Sequence, residues 1–226
     1  MKVIVTGATG VVGKEIVRNC LADARITKVV ILTRRAVSMD VESHPKTEVV
    51  MHQDFSKYSD DLLRRLEGAS ACLWAIGGRS DTLEGDKDTL HRVTVEFPLA
   101  AAQAMSTAIA AKAPTGHKFS FVFCSSKSAD RHPAKLLFLG DAKRQKGEAE
   151  KGLCDIADAN PQSFGAWILR PNGIVAAGEV APKKKRLMGS RSSGGVELAH
   201  LGRAFVKVGI EGWKDRIIDN DAILKM

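Results

Sequence analysis

"VIVTGATGVVGKEIV", residues 3–17, sets Gly7, Gly10 and Gly13 between a β-branched apolar run and an amphipathic one. The first run alternates too little to be half-exposed, and the second repeats close to every 3.6 residues, so the stretch reads strand, turn, helix. That setting gives the glycines a meaning that a bare triplet lacks. Gly7 permits a tight turn, Gly10 lets the backbone approach a pyrophosphate, and Gly13 lets the helix pack close to the strand. The first amides of the helix, unpaired by geometry, then face the phosphates with the positive end of the helix dipole. Gly7, Thr9, Gly10, Val11, Val12 and Gly13 are the candidate cradle for a dinucleotide. The rival glycine turn, a P-loop, requires G-x-x-x-x-G-K-[ST]; here Lys14 is followed by Glu15 and the glycine spacing is wrong.

Outward from this turn, short apolar runs alternate with helical patterns. Strands are expected at 2–6, 28–33, 47–53, 71–77, 118–126 and 164–170, and helices at 12–23, 60–69, 90–111 and about 136–158. Such alternation predicts an α/β fold, a doubly wound parallel sheet of Rossmann type with helices on both faces, in a single domain. Residues 1–175 are expected to form the dinucleotide-binding domain. Residues 176–226 carry a Gly/Ser/Lys-rich loop (178–195), a helix (196–209) and a short strand (216–219), expected to complete the fold and the substrate side of the cleft.

Composition narrows the partners. The 226 residues carry a net charge of +8, which favours anions, and much of the excess sits in "APKKKRLMGSR" (181–191). Aromatics are 5% of the chain and do not interleave with that run, which weighs against stacking on single-stranded nucleic acid. Cys20, Cys72, Cys124 and Cys154 lack C-x-x-C spacing and read as free buried thiols, and the six histidines show no ligand spacing, so no metal is expected. No stretch reaches the roughly 20 apolar residues of a membrane span. The expected setting is cytoplasmic, without a membrane partner; "PKKKR" reads as an exposed loop, with a nuclear import signal as the alternative.

The spacing in "VTGATGVVG" resembles the extended and atypical short-chain dehydrogenase/reductases. At the end of the second strand an NAD site would place an acid for the ribose 2′-hydroxyl. "ILTRRA" has Thr33, Arg34 and Arg35 instead, and paired guanidiniums suit a 2′-phosphate, so the expected cofactor is NADP(H). Lys14 adds charge nearby. The resemblance implies that Asp54, in "QDFS", belongs to an Asp–hydrophobic pair against the adenine. It likewise implies that Ala75, Ile76 and Gly77, with Gly78, line the nicotinamide ribose.

The same resemblance implies catalytic roles for Ser126, in "FCSSKSAD" beside Ser125, and for Lys146 in a Y-x-x-x-K helix, where the Tyr transfers a proton and the Lys holds the ribose. In "LGDAKRQKGEAE" the residue four before Lys146 is Ala142, and a register from Lys143 puts Leu139 there; the chain's one tyrosine is Tyr58. Asp130, Arg131, His132 and Asp141 are the nearest titratable substitutes. "RPNGIV" resembles the family's turn that brings Pro171 and Asn172 to the nicotinamide. Together these segments are similar to the branch holding the Tat-interacting NADPH-binding proteins and the NmrA-like regulators, over residues 1 to about 175. The implied function is NADP(H)-dependent reduction or oxidation of a small carbonyl, imine or alkene without the usual Tyr. The alternative is a non-catalytic NADP-sensing regulator or scaffold with a protein partner, and nucleic-acid binding through 181–191 stands third.

Overall fold

The chain begins β1 (Lys2–Thr6), α1 (Val11–Ala22), β2 (Lys28–Thr33), α2 (Met39–Glu42), β3 (Thr47–Met51), α3 (Asp60–Leu66) and β4 (Ala69–Trp74). It continues through α4 (Lys87–His91), α5 (Phe97–Ala108), β5 (Phe119–Cys124), α6 (Asp141–Ala159) and β6 (Phe164–Arg170). The last elements are β7 (Ile174–Val175), β8 (Val196–Glu197), α7 (Leu198–Glu211), β9 (Ile217–Asp219) and α8 (Asn220–Ile223). The structure is a computed structural model that describes residues 1–77, 86–112, 117–129, 141–175 and 194–226, with Asp141 and Ala142 described by their backbone alone.

Seven strands form one parallel sheet in the order β3-β2-β1-β4-β5-β6-β9, and β7 pairs with β8 apart from it. The order reverses between β1 and β4, each of which starts a run of strands in the opposite direction. A crevice therefore opens beyond the carboxyl ends of those two strands. Side chains alternate across the sheet, and both faces are buried. Ile4, Leu32, Trp74, Phe121 and Phe164 point into a cluster with Phe97, Met105 and Leu153 of α5 and α6. Val3, Val5, Ile31, Leu73 and Val122 point into a second cluster with Ile16 of α1 and Phe205 of α7. Two buried faces explain why the strands read as unbroken apolar runs.

The tail belongs to this sheet. β9 pairs with β6, and α7 lies against α1. The close approach is made at Gly202, where an added Cβ would fall 2.7 Å from Asn19 Nδ2. Buried Asn220 accepts the Asn172 N–H at 2.8 Å and donates to the Gly194 carbonyl at 3.0 Å. These bonds fasten the turn after β6 to the last elements of the chain.

The expected helix over 90–111 is broken. Arg92–Glu96 is a π-helical turn between α4 and α5. Pro98 has no N–H to return to Thr94, and the Phe97 N–H reaches back five residues to the Arg92 carbonyl. β4 runs 69–74 rather than 71–77, and α2 and the β7/β8 pair were not anticipated. Gly78, the start of the fourth helix at 136–140, the trio Asp130, Arg131 and His132, and the basic run 181–191 lie outside the described residues. No helix among the described residues is long and apolar enough to cross a membrane, and no His/Cys/Asp/Glu group among them is arranged to hold a metal.

Candidate functional site

Backbone clearance shapes the glycine turn. Gly7 has φ +71°, and a Cβ there would sit 2.6 Å from the Ala75 carbonyl group of the neighbouring loop. A Cβ on Gly13 would sit 2.0 Å from the Gly7 carbonyl oxygen. What Gly13 clears is thus the turn itself, a closer constraint than packing of helix on strand. The Gly10 N–H donates to the Gly7 carbonyl at 2.8 Å, and the Lys14 N–H to the Gly10 carbonyl at 3.0 Å. Gly10 caps α1 without a side-chain hydrogen bond, so the Val11, Val12 and Gly13 amides have no intrahelical acceptor. No acid stands in that first turn, and Val11 is 63% exposed. A cradle of free amides beside a clearance that any Cβ would close fits a pyrophosphate.

Three other loops meet this turn around a cavity of about 150 Å³. Gly7, Thr9 and Gly10 line one side of it; Leu32, Thr33, Arg34 and Arg35 follow β2; Phe55 follows β3; Ala75, Ile76 and Gly77 follow β4. Buried Thr6 steadies the last loop by accepting the Ala75 N–H at 3.3 Å. A larger cavity of about 700 Å³ opens at the opposite, amino-terminal edge of the sheet beside Glu67 and Lys112. Ligands of open α/β sheets bind beyond the carboxyl ends, so the smaller, polar cavity is the candidate.

Arg34 and Arg35 are exposed, and among the described residues neither is in an ion pair. Arg35 Nη2 donates to Thr9 Oγ1 at 3.3 Å, and Thr33 Oγ1 donates to the Arg35 carbonyl at 2.7 Å. The loop is pinned by its own hydroxyl while the guanidiniums stay available. Asp54 does not line the cavity. Its Oδ1 accepts Ser56 Oγ–H at 2.6 Å, the Ser56 N–H at 3.1 Å and Arg92 Nη2 at 3.1 Å. The Ser56 bonds, with the Arg92 charge, hold this carboxyl below the usual range. The neighbouring Phe55 is the wall residue, edge-on to Trp74 at 5.8 Å. Its signal lay in the apolar half of the Asp–hydrophobic pair.

At the other end of the cleft, β5 and β6 release Ser125, Ser126 and Pro171 side by side. The Ser125 N–H donates to the Leu169 carbonyl at 2.9 Å and the Lys127 N–H to the Pro171 carbonyl at 3.0 Å. Ser126 is half-buried, its Oγ 3.1 Å from Ser128 Oγ, whereas Ser125 is buried and donates to Glu150 Oε1 at 2.5 Å. Lys146 is half-buried on α6; burial pushes the Cys124 thiol up to about 11 and the Lys146 charge opposes that rise. Position 142 lies one turn before Lys146. Tyr58 is no substitute: its hydroxyl is buried without a partner, its ring lies 5.2 Å from His52, and burial raises its pKa far above the ordinary value. The buried Glu150 and its partner Arg170 were not singled out in the sequence. An arginine closing the apolar strand "FGAWILR" was the signal that a buried acid must face it.

The profile of a family described as NAD(P)H-binding matches residues 7–200. Leucinostatins biosynthesis cluster protein T of Purpureocillium lilacinum is 30% identical over 148 residues, 66% of this chain and 50% of that protein. The chain thus spans about half the length of the curated relative it matches. Among solved structures, a double mutant of the dTDP-glucose 4,6-dehydratase DesIV from Streptomyces venezuelae, with NAD bound, superposes with a TM-score of 0.70 at 16% identity, covering 97% of this chain and 75% of that one. Gre2 of Candida albicans in complex with NADPH gives 0.69 at 17%, covering 97% and 77%. A UDP-N-acetylglucosamine 4-epimerase of Methanobrevibacter ruminantium gives 0.67 at 13%, covering 96% and 75%. At such identities the likeness is one of fold.

Proposed function

The chain belongs to a family of NAD(P)H-binding proteins, and from that premise we propose an oxidoreductase-like protein of the atypical short-chain dehydrogenase/reductase type, specific for NADP(H). One observation carries the preference: two exposed guanidiniums, and no acid, line the cavity where a ribose 2′-substituent would lie. In this reading the amides of Val11, Val12 and Gly13 hold the pyrophosphate, and Arg34 and Arg35 with Thr9 clamp the 2′-phosphate. Phe55 borders the adenine, with Asp54 behind it holding Ser56 and Arg92, and Ala75, Ile76 and Gly77 leave room for the second ribose. Lys146 and Pro171 hold the nicotinamide end. When bound, the nicotinamide ring supplies or accepts a hydride.

Ser126 donates a hydrogen bond to the heteroatom of a small carbonyl or imine, or to the activating group of an alkene. Residues 1–175 supply the cofactor site, the described tail residues 194–226 complete its sheet, and free thiols suit the cytoplasm. Titration with NADPH and NADH tests the reading, repeated in Arg34→Ala/Arg35→Ala. NADPH preference in the wild type that vanishes in the double variant supports it; a wild type that binds neither nucleotide ends it.

Ala142 favours a second reading, since an alanine transfers no proton from the family's tyrosine position. There the protein senses NADP(H) occupancy and passes it to a protein partner. NADPH-dependent capture of a partner, together with no NADPH oxidation across a panel of carbonyls, imines and alkenes, would select this reading over catalysis.

A further inference from the structure

Glu150 is fully buried at the carboxyl edge of the sheet. A carboxylate out of water persists only where donors meet its oxygens. Oε1 accepts Ser125 Oγ–H at 2.5 Å and Arg170 Nε at 2.9 Å, and Arg170 Nη2 donates to Oε2. The guanidinium, whose side chain is 21% exposed, grips the acid through two nitrogens, the geometry that resists sliding and rotation. The three groups come from three elements. Ser125 leaves β5, Arg170 ends β6 and Glu150 lies on α6; the β5–β6 register pairs Cys124 with Leu169, which sets Ser125 and Arg170 next to each other.

Each member of this cluster stands one step from a residue of the nicotinamide end. Ser126 follows Ser125, Pro171 follows Arg170, and Lys146 precedes Glu150 by one turn on the same face of α6. We propose that Glu150 is the positioning residue of that end. Its clamp locks the exits of β5 and β6 against α6 and thereby fixes Ser126, Lys146 and Pro171 relative to one another. Apolar contacts alone would tolerate small slips between these elements, whereas a bidentate ion pair with a third hydrogen bond has one geometry. It follows that the Ser125 hydroxyl, 3% exposed and committed to Glu150, does not meet substrate; Ser126 does. The proposal rests on the cofactor reading above.

The test compares two ligands. 2′,5′-ADP reports the adenine end alone, and NADPH reports both ends through its affinity and its nicotinamide fluorescence. Ser125→Ala and Glu150→Gln each weaken the clamp, and Glu150→Met/Arg170→Met replaces the ion pair by apolar groups of similar length, so that folding does not depend on a stranded charge. In folded variants, 2′,5′-ADP should bind within about twofold of wild type while NADPH weakens about tenfold with altered emission, the scale on which a supporting shell acts on the groups it holds. Ser125→Thr, which keeps the hydroxyl, should restore the wild-type emission. Unchanged NADPH affinity and emission in the folded Met/Met variant would overturn the proposal, as would a parallel loss of both ligands. A wild type that binds neither ligand would instead overturn the cofactor reading and this proposal with it.

Discussion

In the proposed reading, the groups that meet the cofactor at Gly7–Gly13 are main-chain amides, placed by what the glycines leave empty, whereas at Ser126, Lys146 and Pro171 they are side chains and a proline ring, placed by Glu150. The first kind of site fails through the backbone and the second through its supports. In the first, a single methyl closes the turn, because no side chain can rotate away from a clash between Cβ and a carbonyl. In the second, substitutions leave the backbone standing and shift the relative positions of three elements. The two ends should therefore respond to mutation with different ligand signatures.

The largest effect is expected from Gly13→Ala. Its Cβ would fall 2.0 Å from the Gly7 carbonyl oxygen, so the turn must open. Loss of measurable NADPH and 2′,5′-ADP binding is expected, with destabilisation of about 3 kcal/mol, the upper range for forcing atoms into a packed site. Calorimetric titration and urea unfolding measure both, and wild-type affinity in this variant would dismantle the backbone account of that end. Next comes Arg34→Ala/Arg35→Ala, which removes two charged donors at an exposed site. A loss of about 2 kcal/mol, roughly thirtyfold in NADPH affinity, is expected, with NADH unchanged. Because both changes lie at the adenine end, 2′,5′-ADP and NADPH should weaken together. Selective loss of NADPH, as expected for Glu150→Gln, would erase the distinction between the ends.

The same contrast explains what was legible in the sequence. A strand, a glycine turn and a helix are local, so residues 3–17 announced their structure and their cavity through spacing alone. The Arg34/Arg35 loop was legible for the same reason, because it follows a strand whose end could be counted. The Glu150 clamp joins residues 20 and 25 positions apart, and no local period records it. The run from 90 to 111 reads as a long helix entered around a proline-containing stretch, and at that stretch Arg92–Glu96 widens into a π-turn that no sequence period announces. β7 and β8 are two residues each and owe their pairing to the Gly173 carbonyl accepting the Val196 N–H at 2.7 Å, a contact between distant segments. Asp54 shows the limit of a motif carried over residue by residue: the pattern located the loop, while the wall of the cavity belongs to Phe55.

A smaller effect is expected from Arg92→Ala. Arg92 joins the π-helical turn to the loop after β3 through Asp54 and lies 5.4 Å over the Phe97 ring. Both charged side chains are well exposed, so the loss in urea unfolding should be small. The adenine end should notice it more than the nicotinamide end: a modest fall in 2′,5′-ADP affinity is expected, and a larger loss for NADPH than for 2′,5′-ADP would place Arg92 on the wrong side of the comparison.

The smallest effect is a pH dependence confined to the adenine end. Burial holds the His52 imidazole below its ordinary pKa, and the Asp54 charge only partly offsets that. Its Nε2 is buried without a partner, and its ring meets Phe55 edge-on at 4.8 Å. With the folded pKa below the unfolded one, the unfolded chain takes up the proton first. The stabilising contribution is then complete above about pH 6.5 and declines as pH falls from there toward the folded value. Glu48 and Asp23, whose carboxyls are held down by Lys28 and Arg25, lose their contributions only below about pH 4.3. The window from pH 5 to 7 therefore isolates His52 among these shifted groups. Solvent reaches part of the ring, so the decline should be a few tenths of a kcal/mol, on the order expected of a screened charge. Melting temperatures across that window should slope in the wild type and flatten in His52→Gln, while Glu150→Met/Arg170→Met keeps the wild-type slope. A slope that survives in His52→Gln would detach the wall of the adenine cavity from this histidine.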